Sequence, residues 1–174
     1  MSLFCVIMAY TFYLSLAVTR IALFVDVQNI YYTTRDHFQR SFNYRALWQQ
    51  LSSRGEIVQA CAYATERHDD QQRKFQDALR HTGFEVKLKP FIQRSDGSAK
   101  GDWDVGITID VMDCAASGVD TVVLLSGDGD FDSLLTRIRR DGIYTEVYGV
   151  PLLTAQSLVK AADRFIAIDK TLLL

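Results

Sequence analysis

Four aspartates fall where the predicted elements of this chain end or begin. Asp26 closes the first β-rich apolar run, and Asp128 follows a continuous β-branched run after a Ser-Gly pair. Asp130 comes two residues later, where a helix is predicted to begin, and Asp104 lies in the first turn of another predicted helix. Because the carboxyl ends of parallel strands meet at one edge of a sheet, we expect the four carboxylates to gather there.

Carboxylates gathered in this way repel one another unless a cation lies between them. Two of them about 5 Å apart repel by roughly 3 kcal/mol at an effective dielectric constant of 20. A divalent cation removes that cost, and a ligand set made only of oxygen atoms selects Mg²⁺ or Mn²⁺ over zinc. Taken singly, Asp26 could be a turn former, Asp104 an acid at a helix N-terminus and Asp130 a helix cap. Their shared edge favours a metal site.

Helical periodicity assigns Asp104 to the face of its helix that packs on the sheet. Four residues share its stripe at the i+3, i+4, i+7 and i+11 positions, namely Ile107, Thr108, Val111 and Ala115. An acid therefore begins a stripe that is otherwise suited to burial, and a buried carboxylate requires a partner.

The elements that must position these acids alternate between strand and helix along the chain. Strands are predicted over 20–26, 56–65, 84–92, 121–126, 143–149 and 164–168. Helices are predicted over 43–54, 69–81, 102–117, 130–141 and 154–162, with a polar loop over 93–101. This alternation predicts an α/β domain over residues 20–174: a three-layer sandwich with a mostly parallel central sheet and helices on both faces.

The composition is that of a globular protein. The chain has 174 residues, 48% of them apolar and 23% charged, with a net charge of −2. These values suit one domain with its own core and exclude a disordered or fibrous chain. The near-neutral charge gives no bulk attraction for nucleic acid, so phosphate binding would depend on a local basic patch.

Three cysteines, Cys5, Cys61 and Cys114, lie far apart in apolar surroundings. Their odd number and the lack of C-x-x-C spacing argue against a disulfide framework and against a zinc site. We therefore predict small buried side chains in a reducing, cytoplasmic environment.

Residues 1–19 form an apolar N-terminal extension with no charged residue. Its length is borderline for a membrane span, and it lacks the basic start of a signal peptide. Four interpretations stay open: an extra element packed on the domain, a membrane-associating segment, a start site placed too far upstream, or a cloning remnant at the first residues. We favour the first or the third and expect no stable membrane association.

Three segments resemble the NYN domain, in the LabA-like branch of the PIN-like nuclease superfamily. They are FVDVQNIYY (24–32), KGDWDVGITIDVM (100–112) and LLSGDGDFDSLL (124–135), and the resemblance runs from about residue 20 to the C-terminus. The family usually has Lys-Gly, one residue, and then Asp. Here Lys100-Gly101 is followed by Asp102-Trp103-Asp104, so Asp102 stays an alternative to Asp104 as the helix-borne acid.

The resemblance implies a metal-dependent endoribonuclease that hydrolyses RNA phosphodiester bonds. We expect single-stranded RNA as its partner, and assembly as a homo-oligomer stays open. The resemblance also implies that Mg²⁺ or Mn²⁺ is held by Asp26, Asp104, Asp128 and Asp130. Supporting roles fall to Asn29, Lys100, Ser126, Asp132 and Asp110, the last about 120° from the Asp104 stripe. Contacts to RNA fall to Arg35, Lys89, Arg94 and Tyr31.

Two other classes of function compete with the nuclease. A catalytically silent module with the same fold would bind RNA or a protein in regulation, although unneutralised carboxylates hinder the binding of a polyanion. A phosphohydrolase acting through an aspartyl-phosphate would require a second acid two residues after Asp26, where the sequence has Gln28. The complete set of four aspartates favours the nuclease.

Overall fold

The structure of the protein, a computed structural model, describes residues 18–66, 69–90, 92–93, 99–100 and 103–174. Most of the apolar extension, Arg94 and Asp102 lie outside these ranges. Of residues 92–93 and 99–100, which include Lys100, the backbone alone is described.

The centre of the molecule is a six-stranded sheet in which every strand is parallel to its neighbours. The strand order is β3-β2-β1-β6-β7-β8, which places β1 and β6 side by side in the middle. The strands are β1 (Arg20–Asp26), β2 (Glu56–Glu66), β3 (Glu85–Pro90), β6 (Thr121–Leu125), β7 (Tyr144–Gly149) and β8 (Arg164–Ala167). The predicted α/β class and parallel sheet are confirmed.

Within the described ranges, three α-helices cover each face of the sheet. The helices are α1 (Val27–Phe38), α2 (Tyr44–Ser52), α3 (Asp70–Thr82), α4 (Asp104–Ala116), α5 (Asp132–Arg140) and α6 (Gln156–Ala161). The first three pack into one apolar core and the last three into the other. Alternate residues of β1 supply the two cores: Leu23 and Val25 enter the first, while Ala22 and Phe24 enter the second.

Helix α1 was not predicted from the sequence. Most of its residues are polar, and Val27, Ile30 and Thr34 alone are buried within it. Its start is stabilised by the Asp26 side chain, which accepts a hydrogen bond from the backbone N–H of Asn29. A capping aspartate directly after a strand was the available signal. As a consequence, Asn29 lies in the first turn of a helix.

The predicted polar loop contains a short antiparallel ribbon of β4 (Ile92–Gln93) and β5 (Ala99–Lys100). The predicted strand 84–92 is accordingly divided between β3 and β4. Within the part of the chain that the structure describes, no helix has both the length and the apolar character needed to cross a membrane.

Candidate metal centre

Three carboxylates converge at the carboxyl edge of the sheet. Asp104, Asp128 and Asp130 each offer an oxygen atom, and these atoms all lie within 4.8 Å of one another. Asp104 comes from the first turn of α4, while Asp128 and Asp130 come from the segment between β6 and α5. The trio thus joins a helix N-terminus to the end of a central strand.

The segment after β6 holds its two aspartates through local hydrogen bonds. The backbone N–H of Asp128 donates to Ser126 Oγ over 3.1 Å, and the N–H of Asp130 donates to Asp128 Oδ1 over 3.0 Å. Ser126 is fully buried, and Phe131 anchors the short 3₁₀ helix Gly129–Phe131 in the core. The sequence Ser-Gly-Asp-Gly-Asp-Phe therefore forms a tight turn with two outward carboxylates.

Asn29 connects the ends of the two central strands. Its backbone N–H donates to Asp26 Oδ1 over 3.1 Å, and its side-chain Oδ1 accepts the N–H of Gly127 over 2.8 Å. Gly127 has no room for a side chain, because a Cβ there would lie 2.5 Å from the carbonyl oxygen of Leu153. One asparagine thus joins the Asp26 turn to the Asp128 turn, with a third loop closing over them.

Asp26 is electrostatically coupled to the trio. The pKa of Asp26 is raised from 3.8 to about 6, chiefly by burial and also by the negative charges of Asp104 and Asp128, against the lowering effect of the backbone hydrogen bond from Asn29. Asp26 is not one of the three carboxylates within 4.8 Å of one another. Its half-buried carboxyl nevertheless adds a fourth negative group to the same edge when it is ionised.

The donor set at this edge fits a hard divalent cation. The trio contains carboxylates alone, with no histidine or cysteine among its members. Carboxylate oxygens suit Mg²⁺ and Mn²⁺, and a cation would offset the mutual repulsion of the group. Asp104, Asp128 and Asp130 would hold such an ion directly, and Asp26 would contribute negative charge beside it.

Asp110 has a different environment from the trio. Its Oδ2 accepts hydrogen bonds from the Tyr63 hydroxyl at 2.6 Å and from Lys87 Nζ at 2.7 Å. Although partial burial acts in the opposite direction, these bonds and the charge of Lys87 lower the pKa of Asp110. Asp110 therefore ties α4 to β2 and β3, about a turn and a half beyond Asp104.

Asp132 lies at the start of α5, where its Oδ1 accepts a 2.9 Å hydrogen bond from Ser133 Oγ. This contact is that of an acid in the first turn of a helix. Asp132 is not a member of the group of three, although it follows Asp130 by two residues.

Three of the residues predicted to contact RNA, Arg35, Lys89 and Tyr31, make contacts within the protein. Lys89 Nζ lies 4.3 Å from the centre of the Trp103 ring, and Arg35 Cζ lies 5.8 Å from that of Tyr31. Tyr31 is 49% exposed and meets Tyr32 edge-on, with the ring centres 5.3 Å apart. Arg35 and Tyr31 therefore form an exposed pair on α1, while Lys89 lies against the start of α4.

Two aromatic residues near the site were missed by the sequence analysis. Trp103 immediately precedes Asp104 and lies beside Tyr63, with ring centres 5.2 Å apart. Burial raises the pKa of the Tyr44 hydroxyl well above its usual range, and the charge of Asp26 adds to this effect. The position of Trp103 next to an acid was a visible signal, whereas nothing in the sequence pairs Tyr44 with Asp26.

Comparison with known proteins gives consistent matches over most of the chain. Residues 20–169 match the NYN domain family. The chain is 30% identical over 162 residues to the low amplitude and bright protein LabA of Synechococcus elongatus, covering 87% of this chain and 84% of that one. The crystal structure of a protein of unknown function from Vibrio parahaemolyticus superposes with a TM-score of 0.85 at 52% identity, covering 90% of this chain and 97% of the other.

Proposed function

Because the chain belongs to the NYN domain family, within the PIN-like nuclease superfamily, we propose that it is a metal-dependent endoribonuclease. The family match and the predicted resemblance agree, and the chain carries an acidic cluster that could bind metal. Hydrolysis of RNA phosphodiester bonds at that cluster, with Mg²⁺ or Mn²⁺, is the activity that we assign to it.

The convergence of Asp104, Asp128 and Asp130 within 4.8 Å is the observation that supports this activity most strongly. Two of these acids belong to the turn after β6 and the third to a helix more than twenty residues away in sequence. A fold that brings such groups together without a counter-charge incurs repulsion. A divalent cation would offset that repulsion, and it would also bind the phosphate of the substrate.

Some side chains of the site would bind the ion with their negative charge, whereas others position the turns that carry those side chains. When bound, a divalent ion lowers the pKa of a water molecule and neutralises charge on the phosphate. Asp104, Asp128 and Asp130 would hold the ion, and Asn29 keeps the turns after β1 and β6 in register through Gly127. Burial raises the pKa of Asp26 to about 6 in the metal-free protein, so its carboxylate adds negative charge to the site at neutral pH.

Single-stranded RNA is the substrate that the surroundings of the cluster suit best. Tyr32 on α1 is 55% exposed, and Leu152 in the loop after β7 is 80% exposed. Helix α1 and the loop after β7 both lie beside Gly127, which contacts Asn29 of α1 and the carbonyl of Leu153 in that loop. Unpaired bases stack on exposed aromatic side chains, whereas the bases of a duplex are stacked on one another.

A cytoplasmic location accords with this function. Among the described residues, the two cysteines Cys61 and Cys114 are buried free thiols, as in a reducing compartment. A homo-oligomer stays a prediction.

A cleavage assay on end-labelled single- and double-stranded RNA with Mn²⁺, Mg²⁺ or EDTA tests the proposed activity. Because the nucleophile would be water, the products are expected to carry 5′-phosphate and 3′-hydroxyl ends. A 2′-deoxy substitution at the scissile position should leave cleavage in place. Asp128→Asn should remove cleavage, since loss of the ion removes both the activated water and the charge stabilisation.

Two variants serve as controls for the assay. Asp113→Asn removes one exposed carboxylate from α4 without touching the trio, and His37→Ala removes an exposed histidine from α1. Both should retain most of the activity. Cyclic 2′,3′-phosphate ends or full activity in EDTA would contradict the mechanism. Metal binding without cleavage of any RNA would instead indicate a regulatory module.

A further inference from the structure

Trp103 is the N-cap residue of α4, and its side chain makes no capping hydrogen bond within the described part of the chain. The helix starts with a 2.7 Å hydrogen bond from the N–H of Ile107 to the carbonyl of Trp103. Asp104 is the next residue, so whatever fixes Trp103 also fixes the backbone of the helix-borne member of the trio.

The Trp103 indole is held on several sides. Its Nε1–H donates to the carbonyl of Ala64 on β2 over 2.9 Å. One neighbour of the ring is Tyr63, with centres 5.2 Å apart, and the Lys89 ammonium lies 4.3 Å from the ring centre. The hydrogen bond and the cation–π contact together tie the start of α4 to β2 and β3.

Gly106 gives the indole the space that it occupies. A Cβ at Gly106 would lie 2.7 Å from Trp103 Cε3, closer than carbon atoms approach. The indole therefore folds back over the first turn of its own helix, and any side chain at position 106 would push it away. The pair Trp103 and Gly106 thus defines one arrangement of the helix start.

We propose that Trp103 is a positioning residue of the metal site, which locks the first turn of α4 to β2 and thereby aims the Asp104 carboxylate at Asp128 and Asp130. This inference rests on the proposed metal-dependent function. Trp103 does not serve as a stacking surface for RNA, because Tyr63 and Lys89 already lie against its ring. In this arrangement Lys89 helps to hold Trp103 at the start of α4, in place of its predicted contact with RNA.

The Mn²⁺ dissociation constant of the full chain, measured by titration calorimetry, tests the proposal. Trp103→Ala removes the hydrogen bond and both ring contacts, and is expected to raise the Mn²⁺ Kd by about 10- to 100-fold, as for other groups that orient metal ligands. Trp103→Phe keeps a ring but loses the N–H donor, and should raise the Kd by a smaller factor. Trp48→Ala is the matched control, since it removes the second indole from a partly buried position that packs against the first core beside Phe84.

The control separates positioning from general stability. Trp48→Ala should lower the melting temperature while its Mn²⁺ Kd stays that of the wild type. Trp103→Ala should raise the Mn²⁺ Kd, whether or not its melting temperature also falls. An unchanged Kd in Trp103→Ala, or in Trp103→Phe should the first variant not fold, would overturn the positioning role alone. A wild-type chain that binds no Mn²⁺ would overturn both the proposed function and this inference.

Discussion

Asp26 illustrates how one residue of the site combines structural and chemical roles. Its carboxylate caps α1 through the N–H of Asn29, and it lies close enough to Asp104 and Asp128 to be affected by their charges. With a pKa of about 6, Asp26 takes up a proton more readily on folding and releases it when a cation binds. Its ionisation is therefore coupled to both.

The metal-free protein should lose stability as the pH rises from 4 to 7 through this residue. The pKa of Asp26 is raised by folding, so the folded state binds more protons in this range and the free energy of unfolding falls. A shift from 3.8 to about 6 corresponds to at most about 3 kcal/mol. Denaturant unfolding in EDTA should show a flatter pH dependence for Asp26→Asn than for wild type. Identical profiles would contradict the raised pKa.

At the scale of elements, the site depends on three turns that are locked together. The turn after β1 carries Asn29, the turn after β6 carries Gly127, and the 3₁₀ helix Pro151–Leu153 follows β7. The N–H of Ala155 also donates to the carbonyl of Gly127 over 2.9 Å. Small residues at the centre of this arrangement allow the backbones to approach one another.

Gly127→Ala is expected to destabilise the protein by about 1–3 kcal/mol, because the new Cβ would overlap the backbone carbonyl of Leu153 at 2.5 Å. Gly129→Ala is the matched comparison: its Cβ would come to 3.1 Å from Ala155 Cβ and Ser157 Oγ, which is a smaller overlap than that at Gly127. Its cost should be smaller. Denaturant unfolding of both variants gives the two free energies, and equal costs would contradict the backbone clash.

At the scale of the whole molecule, the match to the NYN family and the described fold both begin near β1. The two cores draw their buried residues from Ile21 through Leu173. Nothing in either core is contributed by a described residue that precedes the first strand. The described strands and helices and the acidic trio all lie within residues 20–174.

Deletion of residues 1–18 is therefore expected to leave a soluble, folded domain that binds Mn²⁺ with the affinity of the full chain. Circular dichroism and size-exclusion chromatography measure the fold, and calorimetry measures the affinity. Aggregation of the truncated chain beside a soluble full chain would assign the extension to the core. Partitioning of the full chain alone into lipid vesicles would contradict the expected lack of membrane association.

The order of strands and helices was predictable because each element has a local pattern of apolar residues and turn formers in the sequence. The β-branched run that became β6 and the apolar periodicity of α4 each indicate one type of element, and Gly83 and Gly142 end helices as expected. The grouping of Asp104, Asp128 and Asp130 was predicted from two rules together: parallel strands end at one edge of a sheet, and the helical stripe that contains Asp104 faces the sheet. For these features, local sequence determines the result.

Tertiary structure alone decided which neighbours each side chain meets. The polar helix α1 has too few apolar residues to show a helical period, and its docking on the sheet depends on three buried side chains. Lys89 lies over the Trp103 ring, and Asp110 pairs with Lys87 on a strand far away in sequence. Such contacts join residues that no local pattern relates, because strand order and the register between strands bring them together.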